Sequence, residues 1–266
     1  MLKVLALMSN AIKRKVLYIM SLEKFFTEIF DEDFLEIGTY DEDPNDIGFY
    51  RNFPQMMPWV GSEFENNKHK RILFIGESHY LPEDAEENLL TPEGWYNQGE
   101  YSLDASSKEY GWTNTREIVG LNKREKGHSI YLEVEKALRI AKGADNILME
   151  TTNMFKYVGF YNYFLRPAYK NDSIKKTCKE WDLKIAHDAF EGILSILKPD
   201  FVYFLSVFAW KSHKKYNNDF KNVIIDYSPH PACRWWHTKK YKLNGNEELL
   251  TGKEKLTAFL RENKVF

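Results

Sequence analysis

Arg71-Ile72-Leu73-Phe74-Ile75-Gly76-Glu77-Ser78-His79-Tyr80 is an apolar run stopped by a glycine and followed by an acid, a hydroxyl, an imidazole and a phenol. The run is short, lacks alternation and is bounded by polar residues, which predicts a strand buried on both faces of a parallel sheet. Gly76 is expected to give the chain a sharp exit from that strand. Three more runs read the same way: Ile147-Leu148-Met149, Phe201-Val202-Tyr203-Phe204-Leu205 after Pro199-Asp200, and Val223-Ile224-Ile225 before Asp226-Tyr227. Helical patterns lie between them. Leu183, Ala186, Phe190, Ile193, Leu194 and Leu197 recur at three- and four-residue spacing, predicting an amphipathic helix that ends before Pro199. Residues 131–142, 247–262 and 21–30 predict three further helices. Strand alternating with helix is the pattern of a layered α/β fold.

The chain has 266 residues, ample for one sizeable core, and no Pro/Gly/Ser-rich linker or internal repeat divides it. Residues 1–20 are set apart as an extension, because Met20-Ser21-Leu22-Glu23 looks like a natural start. Residues 21–266 are read as one domain with a long polar and aromatic insertion at 81–115. The apolar run Val4 to Met8 is interrupted by Lys13, Arg14 and Lys15, so neither a signal peptide nor a membrane span is expected. Two cysteines, Cys178 and Cys233, make neither a disulfide framework nor a cysteine-only metal site and fit a reducing compartment, the cytoplasm. The formal charge is −2, but its distribution is uneven. Residues 28–46 carry nine acidic side chains and no basic ones, whereas residues 211–242 carry eight Lys/Arg against two Asp. A basic sector of this kind can bind a polyanion or simply be a solvated surface.

In open α/β sheets, ligands bind beyond the carboxyl ends of the strands. Gly76-Glu77-Ser78-His79-Tyr80 after the first run is either a polar turn or a site. Glu150-Thr151-Thr152-Asn153 follows the second; an Asn there either caps a turn or offers its amide to a ligand. Ser206-Val207-Phe208-Ala209-Trp210 after the third is a largely apolar, structural exit. After the fourth comes Ser228-Pro229-His230-Pro231-Ala232-Cys233-Arg234-Trp235-Trp236-His237. His230 is held between two prolines on a stiff backbone, with a guanidinium and two large aromatics close behind, and this reads as a site.

In that order the pieces resemble the uracil-DNA glycosylase superfamily. Ile75-Gly76-Glu77-Ser78-His79-Tyr80 is similar to its Gly-Gln-Asp-Pro-Tyr or Gly-Glu-Ala-Pro-Gly motif. Thr152-Asn153-Met154-Phe155-Lys156-Tyr157 is similar to the Thr-Asn-Val-Val-Lys-Cys segment of its cluster-containing branch. Leu197-Lys198-Pro199-Asp200 and the strand after it resemble the Leu-Lys-Pro-Lys strand entry, and His230-Pro231-Ala232 the His-Pro-Ser motif. The resemblance runs from about Arg71 to Trp236 and implies a three-layer α/β/α fold around a central four-stranded parallel sheet. It implies hydrolysis of the N-glycosidic bond of a flipped uracil or other deaminated base in single- or double-stranded DNA. Glu77 would position water and His230 would stabilise the leaving base. Ser78, His79, Tyr80 and Asn153 would line the base pocket, with Asn153 reading the base edge and Tyr80 as stacking platform, Trp95 and Tyr96 behind it. Arg234, Trp235, Trp236 and Lys239 would engage DNA.

The departures are Ser78 where the most active branch has Asp, His79 for the usual proline and Ala232 for serine. With two cysteines no four-thiolate cluster forms, so no metal and no cofactor are expected. Two other readings stand beside this one. The same fold could serve as a nucleic-acid or nucleotide-binding module or hydrolyse another N-glycoside. An unrelated esterase-like hydrolase also fits a Gly-Glu-x-His strand end, but leaves Asn153 and His230-Pro231 unexplained.

Overall fold

The computed structural model describes residues 25–38, 48–97, 103–120, 129–143, 153–169, 172–216, 223–242 and 249–266. Its centre is a mixed five-stranded sheet of β1 (Trp59–Val60), β2 (Ile72–Leu81), β3 (Gly159–Tyr169), β4 (Phe201–Phe204) and β5 (Ile224–Tyr227), in the order β1-β3-β2-β4-β5. β3, β2, β4 and β5 run parallel to one another, while β1 pairs antiparallel with β3 through Trp59↔Phe160 and Val60↔Gly159. The sheet is thus wider than the expected four parallel strands by one short antiparallel edge. The run Ile147–Met149 lies outside the described residues; the strand beside β2 is β3, which begins after Asn153.

Alternation along β2 sends its side chains to two separate cores, the period-two geometry of any strand. Leu73 and Ile75 join Val202 and Phe204 against the helix α3 (Glu180–Leu197), through Ile185, Ala189, Phe190 and Ile193. Ile72 and Phe74 join Phe201 and Tyr203 against α2 (Ser129–Ala141) and α6 (Gly252–Glu262), through Val134, Leu138, Leu256 and Phe259. A strand apolar on both faces is therefore covered by helices on both faces, as its sequence predicts. β5 departs from this expectation, since it is an edge strand with Ile224 exposed.

Local chemistry sets the helix ends. At the start of α3 the N–H of Lys179 donates to Asp182 at 2.8 Å, and the helix stops at Lys198, whose left-handed φ of +43° precedes Pro199. Thr251 and Glu254 close a capping box on α6, and β7 (Leu249–Leu250), paired with β6 (Tyr241–Lys242), takes the place of the first turn expected there. The expected helix at 21–30 is displaced: within the described residues the chain is irregular from Phe25 to Phe30, and α1 spans Asp31–Leu35. Asp31 there receives both arms of the Arg116 guanidinium, at 2.8 and 2.5 Å.

The insertion is not a loose cover. It forms the short helices Pro92–Tyr96 and Lys108–Thr113, and its anchors are buried. Arg166 of β3 forks onto Asp182 of α3 with two bonds of 2.8 Å, Tyr96 donates its hydroxyl to the same carboxylate at 3.0 Å, and Arg166 also donates to the Leu90 carbonyl. Burying a guanidinium is tolerable only with this degree of satisfaction. Trp95 is fully buried, stacks on Phe53 and donates to the Leu165 carbonyl at 3.1 Å. Trp95 and Tyr96 therefore belong to the core and offer no platform to a base. Among the described residues no helix is long and apolar enough to cross a membrane.

Candidate active site

β4 ends at Phe204 and β5 at Tyr227, but β2 and β3 continue past them to Leu81 and Tyr169. The step so formed carries the polar groups. Glu77 stands on it, and its two carboxylate oxygens each accept a hydroxyl: Ser173 donates to Oε1 and Ser206 to Oε2, both at 2.5 Å. Ser173 follows β3, and Ser206 follows β4 and caps the helix α4 (Val207–His213). Three strands thus meet at one carboxylate: β2 carries it, and the exits of β3 and β4 bond it.

His230 arrives from the fourth, three residues past β5. Burial lowers its pKa below the ordinary histidine value, and the negative charge of Glu77, close enough to be felt, partly offsets this. Its Nδ1 accepts the backbone N–H of Ala232 at 3.2 Å, which leaves the ring proton of the neutral imidazole on Nε2. A neutral imidazole donating from Nε2 beside a carboxylate can hold an anionic oxygen or nitrogen without having to give up its proton. Tyr80 completes this side: burial, then the charge of Glu77, raises its pKa, so its hydroxyl stays protonated. Tyr131 of α2 lies within electrostatic reach of Tyr80 and is likewise raised, mainly by burial.

Gly76 does not end the strand. β2 runs on to Leu81 with Gly76↔Asn162, Ser78↔Phe164 and Tyr80↔Ala168 in register with β3, and the register shifts between Ser78 and Tyr80. The glycine is required for a different reason: a Cβ there would lie 2.1 Å from Asn162 Oδ1 and 3.0 Å from Phe160 Cζ. The buried side-chain amide of Asn162 is thereby seated against the backbone one residue before Glu77.

The expected site residues separate into two groups. Glu77, Tyr80 and His230 come together. Ser78 is buried in β2 directly between Glu77 and His79. His79 is buried and meets Thr115 Oγ1 at 3.0 Å; that hydroxyl donates onward to the Met56 carbonyl, so the ring ties β2 to the helix Thr115–Gly120. Asn153 stands ahead of β3 and caps the turn Met154–Tyr157 by accepting the Phe155 N–H at 3.0 Å. Capping is the reading that an Asn in such a position satisfies first. In α5 (Arg234–His237) the two tryptophans part company. Trp236 is fully buried in the core and donates to Glu133 at 3.3 Å, so it cannot wedge into a groove. Trp235 is 39% exposed, with Lys240 Nζ 4.1 Å from its ring centroid and the Arg234 guanidinium 5.5 Å away. Arg234 and Lys239 are exposed beside it.

Three groups of the site carry no mark in the sequence strong enough to single them out: Asn162, Ser173 and Ser206. The signal for Asn162 is the aromatic strand pattern Gly159-Phe160-Tyr161-Asn162-Tyr163-Phe164, and for Ser206 a hydroxyl between a strand end and a helix start. Cys178 and Cys233 are free and half-buried, and burial pushes the Cys178 thiol up to about 12, which makes it inert. Among the described residues no group of three His, Cys, Asp or Glu is placed to hold a metal ion. No protein-family model matches the chain, and no curated protein matches its sequence.

Proposed function

We propose that this protein is a divergent member of the uracil-DNA glycosylase superfamily, with the three-layer α/β/α arrangement of that fold, and that it hydrolyses the N-glycosidic bond of a flipped uracil or other deaminated base. The observation that carries the reading is a Glu77 carboxylate held by two serine hydroxyls within electrostatic reach of a His230 ring whose Nδ1 is occupied by the Ala232 N–H. Breaking a glycosidic bond to a pyrimidine leaves an electron pair on the base and positive character on the sugar carbon. Glu77 faces the sugar side of that separation, holds the attacking water and takes up its proton as the carbon–oxygen bond forms. His230 donates Nε2–H to the oxygen of the departing base anion.

The reading of the base edge moves from Asn153 to Asn162. An amide carries donor and acceptor together, and Asn162 is the one seated beside Gly76. Tyr80, half-buried and within electrostatic reach of Glu77, remains the aromatic side chain for stacking. Arg234, Trp235 and Lys239, joined by Lys240, supply the face toward DNA, with Trp235 as the stacking surface and the cations for phosphates. Trp236 and His79 keep structural roles.

The test is incubation with labelled oligonucleotides carrying uracil, hypoxanthine or xanthine, single- and double-stranded, scored for abasic sites by alkaline cleavage. Glu77→Gln and His230→Leu are run beside the native protein. Base release that both variants slow by roughly 10²–10⁴-fold supports the reading. DNA binding without release in any substrate replaces it with a binding module of the same fold, and neither release nor binding directs attention to nucleotides and other N-glycosides.

A further inference from the structure

We propose that Ser173 and Ser206 are positioning residues that lock the Glu77 carboxylate in its working orientation; the inference rests on the role given to Glu77 above. Ser206 Oγ accepts the backbone N–H groups of Phe208 and Ala209, each at 3.2 Å. A serine oxygen has two acceptor sites, and both are then occupied. Its own proton is left to donate, and the partner at 2.5 Å is Glu77 Oε2. Ser173 repeats the arrangement on the other oxygen: it accepts Lys175 N–H at 3.2 Å and lies 2.5 Å from Oε1. In each case the start of a helical turn fixes the hydroxyl, and the hydroxyl fixes the carboxylate.

One such bond would leave the carboxylate free to turn about its last torsion. Two bonds, from loops that follow different strands, stop that rotation and set the plane in which each oxygen offers its remaining acceptor site. Hydrogen bonds to a charged acceptor are also the short, strong kind. A water at the sugar carbon has to be held in one direction, and misplacement by about 1 Å can cost on the order of 100-fold in rate. Both hydroxyl protons are committed to Glu77, so the contribution of the serines belongs to the chemical step and not to binding.

The experiment is single-turnover base release by Ser206→Ala, Ser206→Thr, Ser173→Ala and Ser173→Thr, each in the native and the Glu77→Gln background, with DNA affinity and Tm measured for all. The alanine variants are expected to lose about tenfold in rate at unchanged DNA affinity. The threonine variants, which keep both hydroxyl and cap, restore most of it. In the Glu77→Gln background the same alanine changes add nothing, which is what a residue acting through Glu77 requires and a merely structural one would not show. Equal losses in both backgrounds, or full rates in the alanine variants beside an active native protein, overturn this inference and leave the glycosylase reading standing. Absence of base release by the native protein overturns the role of Glu77 and this inference with it.

Discussion

Replacing Gly76 by alanine adds one methyl group, and the structure says where that methyl must go. Its carbon would sit 2.1 Å from Asn162 Oδ1, while ordinary van der Waals contact begins near 3.4 Å, so the amide must withdraw by about 1.3 Å. Phe160 Cζ, at 3.0 Å, needs to give only a few tenths of an ångström. The main obstacle is the far end of a side chain and not backbone, so the fold accommodates the change at the lower end of the ~1–3 kcal/mol typical of overpacking. At roughly 2–4 °C per kcal/mol for a domain of this size, Tm falls by a few degrees. Function is expected to be hit harder, because a displacement of this size at the proposed base-reading group would cost on the order of 100-fold. Thermal unfolding by circular dichroism and single-turnover base release, measured on the same preparation, separate the two effects. A Gly76→Ala protein that releases base at the native rate would refute the placement of Asn162 as the base reader, whatever its stability.

Four other outcomes follow from the same geometry. Arg166→Ala leaves Asp182 buried without its cation and should cost about 3–5 kcal/mol in denaturant unfolding, whereas Lys176→Ala, which breaks an exposed pair with Asp172, should cost under about 1 kcal/mol. His213 is held at about 4, against an ordinary 6.5, by burial first and then by the charges of His187 and Lys214. The unfolded chain therefore takes up the proton first, so stability is full above pH 6.5 and falls as pH drops toward 4; His213→Phe should flatten that part of the unfolding profile. The His230 ring, followed by NMR, should titrate below the ordinary histidine range, and lower still in Glu77→Gln, because the carboxylate raises it. Arg234→Ala with Lys239→Ala should weaken DNA binding across sequences and reduce the salt slope by roughly 0.7–0.9 for each phosphate that is no longer neutralised.

The runs Ile72–Ile75 and Phe201–Leu205 are legible as strands because burial on both faces leaves a sequence no polar positions, whereas Val223–Ile225 is as apolar but leads into an edge strand with Ile224 exposed. The periodicity of α3 is legible for the same reason, on one face of a helix. Gly76 is legible as special but not for its cause. Nothing local distinguishes a glycine that turns the chain from one that makes room for an amide on the next strand, 86 residues away. Ser206 reads as structural for a similar reason, since its bond to Glu77 spans 129 residues. Adjacent aromatics give no indication of which faces inward. Trp235 and Trp236 differ in exposure because a four-residue helix can turn only one of them toward α6, where Gly252 leaves space for the ring. The apolar run before Asn153 reads in the sequence as a strand with a site residue after it, yet the Asn153 side chain serves the short turn that leads into β3.

The central claim is that Glu77 and His230 together release a base. Chromatographic detection of free uracil from a single-stranded uracil-containing oligonucleotide tests it most directly, with the abasic product quantified in the same reaction. The account predicts free base and abasic sugar in equal amounts from the native protein, and rates roughly 10²–10⁴-fold lower from Glu77→Gln and His230→Leu. Free base produced at the same rate by the two variants would contradict it, as would an intact oligonucleotide with the native protein when every deaminated base has been tried.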